Sequence, residues 1–211
     1  MYTHNQSYKT TGTPAVNAKG ALVMIHGRGG TATNIMGLSR ELNVEGLAIY
    51  APEATNNSWY PYSFMAPDEQ NQPALNSALE TISSLVVQII ADGIPANKIY
   101  FLGFSQGACL TLEYITRNAK RYGGAVVFTG GLIGEKLISD YYNGDFAGTP
   151  VLITTGMPDP HVPLTRVEES VEILKQHNAA VTLKVYPGRP HTITQEEIDL
   201  ANQFIFDGNN L

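Results

Sequence analysis

The sequence predicts an α/β protein built on a mostly parallel, doubly wound sheet with helices on both faces. Three observations point there. Six short apolar runs recur along the 211 residues, at 21–26, 47–51, 98–104, 124–130, 150–156 and 181–188. Most are near-continuous Val, Ile, Leu and Tyr rather than alternating, as expected of strands covered on both faces. Between them lie segments with apolar residues at helical spacing, at 32–43, 73–91, 105–119, 134–142, 164–177 and 194–206. Such alternation calls for right-handed crossovers within one sheet.

The individual elements carry their own signals. "ALNSALETISSLVVQII" is helical in pattern and is stopped by Gly93 and Pro95. "TRVEESVEILKQH" repeats the pattern, with its acids toward the end where the helix dipole favours them. The 20 glycines and 12 prolines supply many tight turns between apolar segments. At this length one domain, 1–211, is expected. Its first 18 residues are read as an edge strand or a partly disordered segment, and no large lid domain is inserted.

Composition excludes several function classes. The formal charge is −6 and no basic residues cluster, which argues against nucleic acid as a partner. No apolar run approaches the ~20 residues that span a bilayer, so no integral membrane association is expected. The start, "MYTHNQSYKTTGTP", has no apolar stretch of the secretory type. With a single cysteine, Cys109, no intrachain disulfide can form, and a cytoplasmic location is expected. A homodimer is compatible with the chain, although no seam in the sequence identifies one.

In a doubly wound sheet ligands bind beyond the carboxyl ends of the strands, so the residues there deserve the closest reading. After the strand ending at Phe104 comes Gly103-Phe104-Ser105-Gln106-Gly107, a G-x-S-x-G segment between a strand and a helix. A serine N-cap would explain the hydroxyl but not both glycines. A serine needs a base to take its proton. Of five histidines, His4 and His177 are expected to face solvent, and His26 to brace the following loop. His191, in the loop after the last strand, is assigned as the base. Asp159, in the loop after the penultimate strand, is assigned as the acid that orients it; Asp140 and Asp145 are read as surface acids. His161, two residues from Asp159, is placed at the pocket rim.

The loop after the first strand, "MIHGRGGTATN", brings backbone N–H groups close to a ligand. The N–H groups of Arg28 and Gln106 are expected to form an oxyanion hole. A phosphate-binding reading lacks the lysine and glycine spacing it needs. The long connection 52–72 places Trp59, Tyr60, Tyr62, Phe64 and Met65 where they could line a substrate pocket or seal the core. Cys109 is read as a small buried hydrophobe. No His, Cys or Asp cluster has metal-ligand spacing, and no cofactor is expected.

With these motifs in place, the chain resembles the phospholipase/carboxylesterase family of α/β-hydrolases, which includes acyl-protein thioesterases. The resemblance lies in "VMIHGRGG", "YAPEA", "GFSQGACLTLEY", "TTGMPDPHVP" and "PGRPHTI", spread over residues 21–206. It implies an α/β-hydrolase fold and hydrolysis of carboxylic esters or thioesters without a metal or organic cofactor. By position it maps a catalytic triad onto Ser105, Asp159 and His191. The chain departs from the thioesterase branch, which usually carries H-G-L-G-D-T-G where this one has H-G-R-G-G-T-A. The expected activity is a serine carboxylesterase acting on small soluble esters. An acyl thioesterase or lysophospholipase is the alternative within the class; a catalytically silent ligand-binding protein is the alternative outside it. Activity should rise with pH through the ordinary histidine range, near ~6.5.

Overall fold

Seven strands form one sheet in the order β1-β3-β2-β4-β5-β6-β7 in this computed structural model. It describes residues 2–207; Met1 and 208–211, the two ends of the expected domain, lie outside the described residues. The strands are β1 (Tyr8–Gly12), β2 (Gly20–Ile25), β3 (Leu47–Pro52), β4 (Ile99–Phe104), β5 (Gly124–Phe128), β6 (Pro150–Met157) and β7 (Ala180–Pro187). All neighbours pair in parallel except β1, which runs antiparallel to β3 as an exposed edge strand. The first 18 residues thus contain the edge strand that was one of their two readings.

The helices are α1 (Ala32–Met36), α2 (Asp68–Asn71), α3 (Ala74–Ala91), α4 (Gln106–Arg117), α5 (Leu164–Gln176) and α6 (Gln195–Ala201). Every residue of β2 and β5 is buried, which explains their unbroken apolar runs. Side chains leave the sheet on alternate faces. Val23, Phe101, Val127 and Ile153 meet α3, α4 and α5 on one side. Leu22, Met24, Leu102, Val126 and Leu152 meet α1 and α6 on the other. Two cores back to back are what a doubly wound sheet requires. By length and composition α3 could cross a bilayer, but it buries eight residues, from Ala74 to Ile89. Here it serves as a core helix.

Two of the expected helices are corrected. The segment 134–142 is not a helix, and only Ser139–Tyr141 makes a single 3-10 turn. Gly134 sits at φ +126°, outside the helical region, and the buried Arg166 guanidinium takes the carbonyls of Leu132, Gly134 and Glu135. Those acceptors are no longer available to a helical ladder. The helix expected at 32–43 ends at Met36 and continues only as a 3-10 turn to Arg40.

His4 is buried rather than solvent-facing, with 7% of its surface exposed. Its Nε2 bonds the Trp59 carbonyl at 2.9 Å, and its Nδ1 accepts the Thr55 N–H at 3.0 Å. His26 braces its loop as expected: its Nδ1 bonds the Gly27 carbonyl, and its Nε2 accepts the Ala54 N–H at 3.2 Å. The two rings lie 5.3 and 5.0 Å from the Trp59 ring. Consecutive amides, Ala54 and Thr55, are therefore held by two histidines that must be neutral to accept them. Burial lowers both pKa values, outweighing the raising effect of their hydrogen bonds.

A histidine whose folded pKa is depressed contributes stability above its unfolded value, near 6.5, and loses it as pH falls through the folded value. Thermal unfolding from pH 7.5 to 4.5 should show Tm dropping below pH ~6.5. His4→Gln, which cannot charge, should flatten part of that drop. Parallel curves for the two proteins would rule the titration out.

Candidate active site

The strand-to-helix turn after β4 forces Ser105 into φ +54°, ψ −118°, a conformation few L-residues adopt. Such a residue stores roughly 1–3 kcal/mol of strain, which the surroundings must hold. Here they do: the Ser105 N–H donates to the Phe128 carbonyl at 3.0 Å, and its carbonyl accepts the Cys109 N–H, also at 3.0 Å. The flanking glycines have steric causes. A Cβ on Gly103 would collide with the Gly107 carbonyl, and one on Gly107 with the carbonyls of Ile25 and His26. Because of these approaches, β4, α4 and β2 meet backbone to backbone beneath the serine.

The loops after β6 and β7 bring the other two residues to it. His191 Nε2 lies 2.8 Å from Ser105 Oγ, and His191 Nδ1 lies 2.8 Å from Asp159 Oδ2. The second Asp159 oxygen, Oδ1, accepts the N–H groups of His161 and Val162 at 2.9 and 3.0 Å. Burial pushes the Asp159 pKa up, but these N–H donors and His191 together outweigh it and hold the carboxyl below its usual range. An ionised Asp159 favours the His191 tautomer with its proton on Nδ1, leaving Nε2 free to accept from Ser105. His161 is exposed at the rim, its ring edge-on to His191 at 4.9 Å.

A cavity of about 510 Å³ opens over Ser105 and His191. Tyr60, Tyr62, Phe64 and His161 line it as expected. Trp59 and Met65 do not line it, which corrects their assignment. Trp59 is fully buried and donates from Nε1 to the His26 carbonyl, while Met65 packs half-buried against the core. Phe104, Cys109 and Val162 line the cavity in addition. Burial pushes the Cys109 thiol up to about 12, so it stays protonated and acts as a small apolar wall. Among the described residues no group of three His, Cys, Asp or Glu could hold a metal ion.

Arg28 and Gln106 both border the cavity beside Ser105. Gln106 is the first residue of α4, where a backbone N–H has no partner within the helix and the dipole favours negative charge. Their side chains show an arrangement that the sequence did not suggest. Arg28 donates to the Pro61 and Tyr62 carbonyls at 2.8 and 2.7 Å. The Gln106 amide accepts from the Trp59 N–H at 2.9 Å and donates to the Tyr60 carbonyl at 2.8 Å. Both side chains thus clamp one aromatic loop, residues 59–62. A cue existed for Gln106, a long polar residue beginning a buried helix, but its partners are about 47 positions away.

The comparisons with known proteins bear on the family and the fold. The sequence model of the phospholipase/carboxylesterase family matches residues 7–207. The chain belongs to that family. A solved phospholipase/carboxylesterase from Dyadobacter fermentans DSM 18053 is 62% identical, with 98% of this chain and 99% of that one covered and a TM-score of 0.97. Among curated members of the family, a probable carboxylesterase, SOBER1-like, from Arabidopsis thaliana is 29% identical over 66% of this chain. Acyl-protein thioesterase 1 from Gibberella zeae is 33% identical over 58% of it. The matched stretch is 53% of each of those two relatives, so the chain spans about half their length. The α/β-hydrolase fold expected from the motifs is the fold this family member has.

Proposed function

We propose that the protein is a serine carboxylesterase acting on small esters through an acyl-enzyme. The observation that carries this is the chain of two 2.8 Å contacts, Ser105 to His191 to Asp159, at the floor of an open cavity. His191 takes the Ser105 proton as Oγ attacks the ester carbonyl. The N–H groups of Arg28 and Gln106 receive the oxyanion, each such donor lowering the barrier by roughly 2.7–4 kcal/mol. His191 then gives its proton to the departing alcohol. Water repeats the sequence to release the acid.

The cavity lies in the middle of the size range of small-ligand sites, ~300–1,000 Å³. Tyr60, Phe64 and Cys109 are buried side chains that form its apolar wall, which favours a short acyl or aryl group over a long chain. The likeness to an acyl-protein thioesterase keeps thioesters as the second reading, because the same machinery attacks either carbonyl. The single, buried Cys109 supports a cytoplasmic location.

The test is hydrolysis of p-nitrophenyl esters from acetate to palmitate, beside a short acyl thioester. Expected is turnover that peaks at short chains and falls toward palmitate. A maximum at long chains would move the reading to a thioesterase or lysophospholipase. No turnover from folded protein would leave a ligand-binding hydrolase fold.

A further inference from the structure

The loop that holds the base is tied to β6 at its start, where the Gly188 N–H donates to the Met157 carbonyl at 2.8 Å. Residues 188–192 follow the edge strand β7, and Pro190 contributes no N–H. Within the loop lies Arg189, 7% exposed and turned inward. Its Nη1 donates to the Pro190 carbonyl at 2.9 Å and also to the Thr192 carbonyl. These carbonyls lie on either side of His191. Its Nη2 donates at 2.6 Å to Thr129 Oγ1, just past the end of β5.

We infer that Arg189 is a positioning residue for His191, its guanidinium gripping the backbone on both sides of the base and bolting it to the end of β5. This rests on the esterase reading above.

The competing explanation is a plain ion pair. Glu197, fully buried in α6, lies near, but its Oε2 is 3.6 Å from Arg189 Nε, and that Nε has no hydrogen-bond partner. The Glu197 oxygens are instead bonded by Thr154 and by the Thr194 N–H and hydroxyl. A guanidinium oriented for its carboxylate would face it with two N–H groups. This one turns its Nη groups to the loop and leaves Nε unbonded, so Glu197 balances the buried charge while the loop sets the orientation. Thr129 is itself secured: at φ +59° it donates its N–H to the Thr154 carbonyl at 2.8 Å. The anchor therefore belongs to the sheet rather than to another loop.

Arg189→Lys keeps the charge opposite Glu197, but one ammonium cannot reproduce the planar fork across two carbonyls and a hydroxyl. With p-nitrophenyl acetate its kcat should fall about 10²-fold, the scale of a 1 Å misplacement, with KM little changed. Phosphonylation of Ser105 by a fluorophosphonate should slow in parallel. A kcat equal to wild type would overturn the inference, as would a loss in KM alone. Should that variant fail to fold, Thr129→Val against Thr129→Ser decides: the valine removes only the Nη2 anchor, and the serine restores it. Lower kcat for valine with recovery for serine supports the role; equal kcat values refute it. Wild-type protein that hydrolyses no ester would instead sink the esterase reading, a separate and visible result.

Discussion

Ser105→Ala is expected to lower kcat for p-nitrophenyl acetate by about 10⁶-fold, and Asp159→Asn by about 10⁴-fold, with both proteins folded. The serine variant loses the oxygen on which the proposed acyl-enzyme forms. The asparagine variant is more informative because it keeps the shape. Its oxygen can still accept the N–H groups of His161 and Val162, as Asp159 Oδ1 does. Its amide then faces His191 Nδ1 and donates to it. The imidazole proton must shift to Nε2, the nitrogen that has to accept from Ser105. Stopped-flow turnover at pH 7.5 measures both losses, and residual activity within tenfold of wild type in either would sink the triad.

Asp159 adds a stability signature. Its folded pKa is lowered, so its contribution is complete above the ordinary carboxylate range and vanishes as pH falls through the folded value. The Tm gap between wild type and Asp159→Asn should therefore close in strong acid.

Gly107→Ala is expected to destabilise the protein by about 3 kcal/mol or more, at the upper end of overpacking costs. The added methyl would point at the carbonyls of Ile25 and His26, which are backbone atoms of β2 and its exit and cannot rotate away. At this chain length such a loss lowers Tm by roughly 6–12 °C. Gly37→Ala is the matched control, because nothing lies within 4 Å of its added methyl and its φ is −55°. That change should leave Tm unchanged or raise it slightly, since alanine narrows the unfolded ensemble. Equal Tm values for Gly107→Ala and wild type, by calorimetry, would refute the steric account of the elbow.

What could be read in the chain followed from the sheet. A parallel strand buried on both faces writes itself as a continuous apolar run, and the residues after it fall at the ligand-binding edge. Ser105, Asp159 and His191 were each identified as strand-exit residues, and the structure brings them into hydrogen-bonding contact. Strand limits differ from the expected ones by no more than two residues. The failures lie where no period operates. Loop 52–72 has no alternation to say which aromatics face the cavity, so Trp59 and Tyr60 looked alike. The order of His4 depends on partners more than 50 residues away. The helical pattern at 134–142 was genuine, but a guanidinium from α5 claims its carbonyls.

The double clamp on residues 59–62 also limits how this protein can change. Arg28 and Gln106 hold the backbone whose side chains shape the cavity, and the proposed mechanism takes its two oxyanion donors from the same two residues. Selectivity and speed thus share hardware. Enlarging the cavity by moving that backbone would detune the transition state, whereas trimming Tyr62 or Phe64 in place would not. Variants selected for bulkier esters should accordingly collect side-chain truncations in this loop and avoid insertions, deletions or glycines within it.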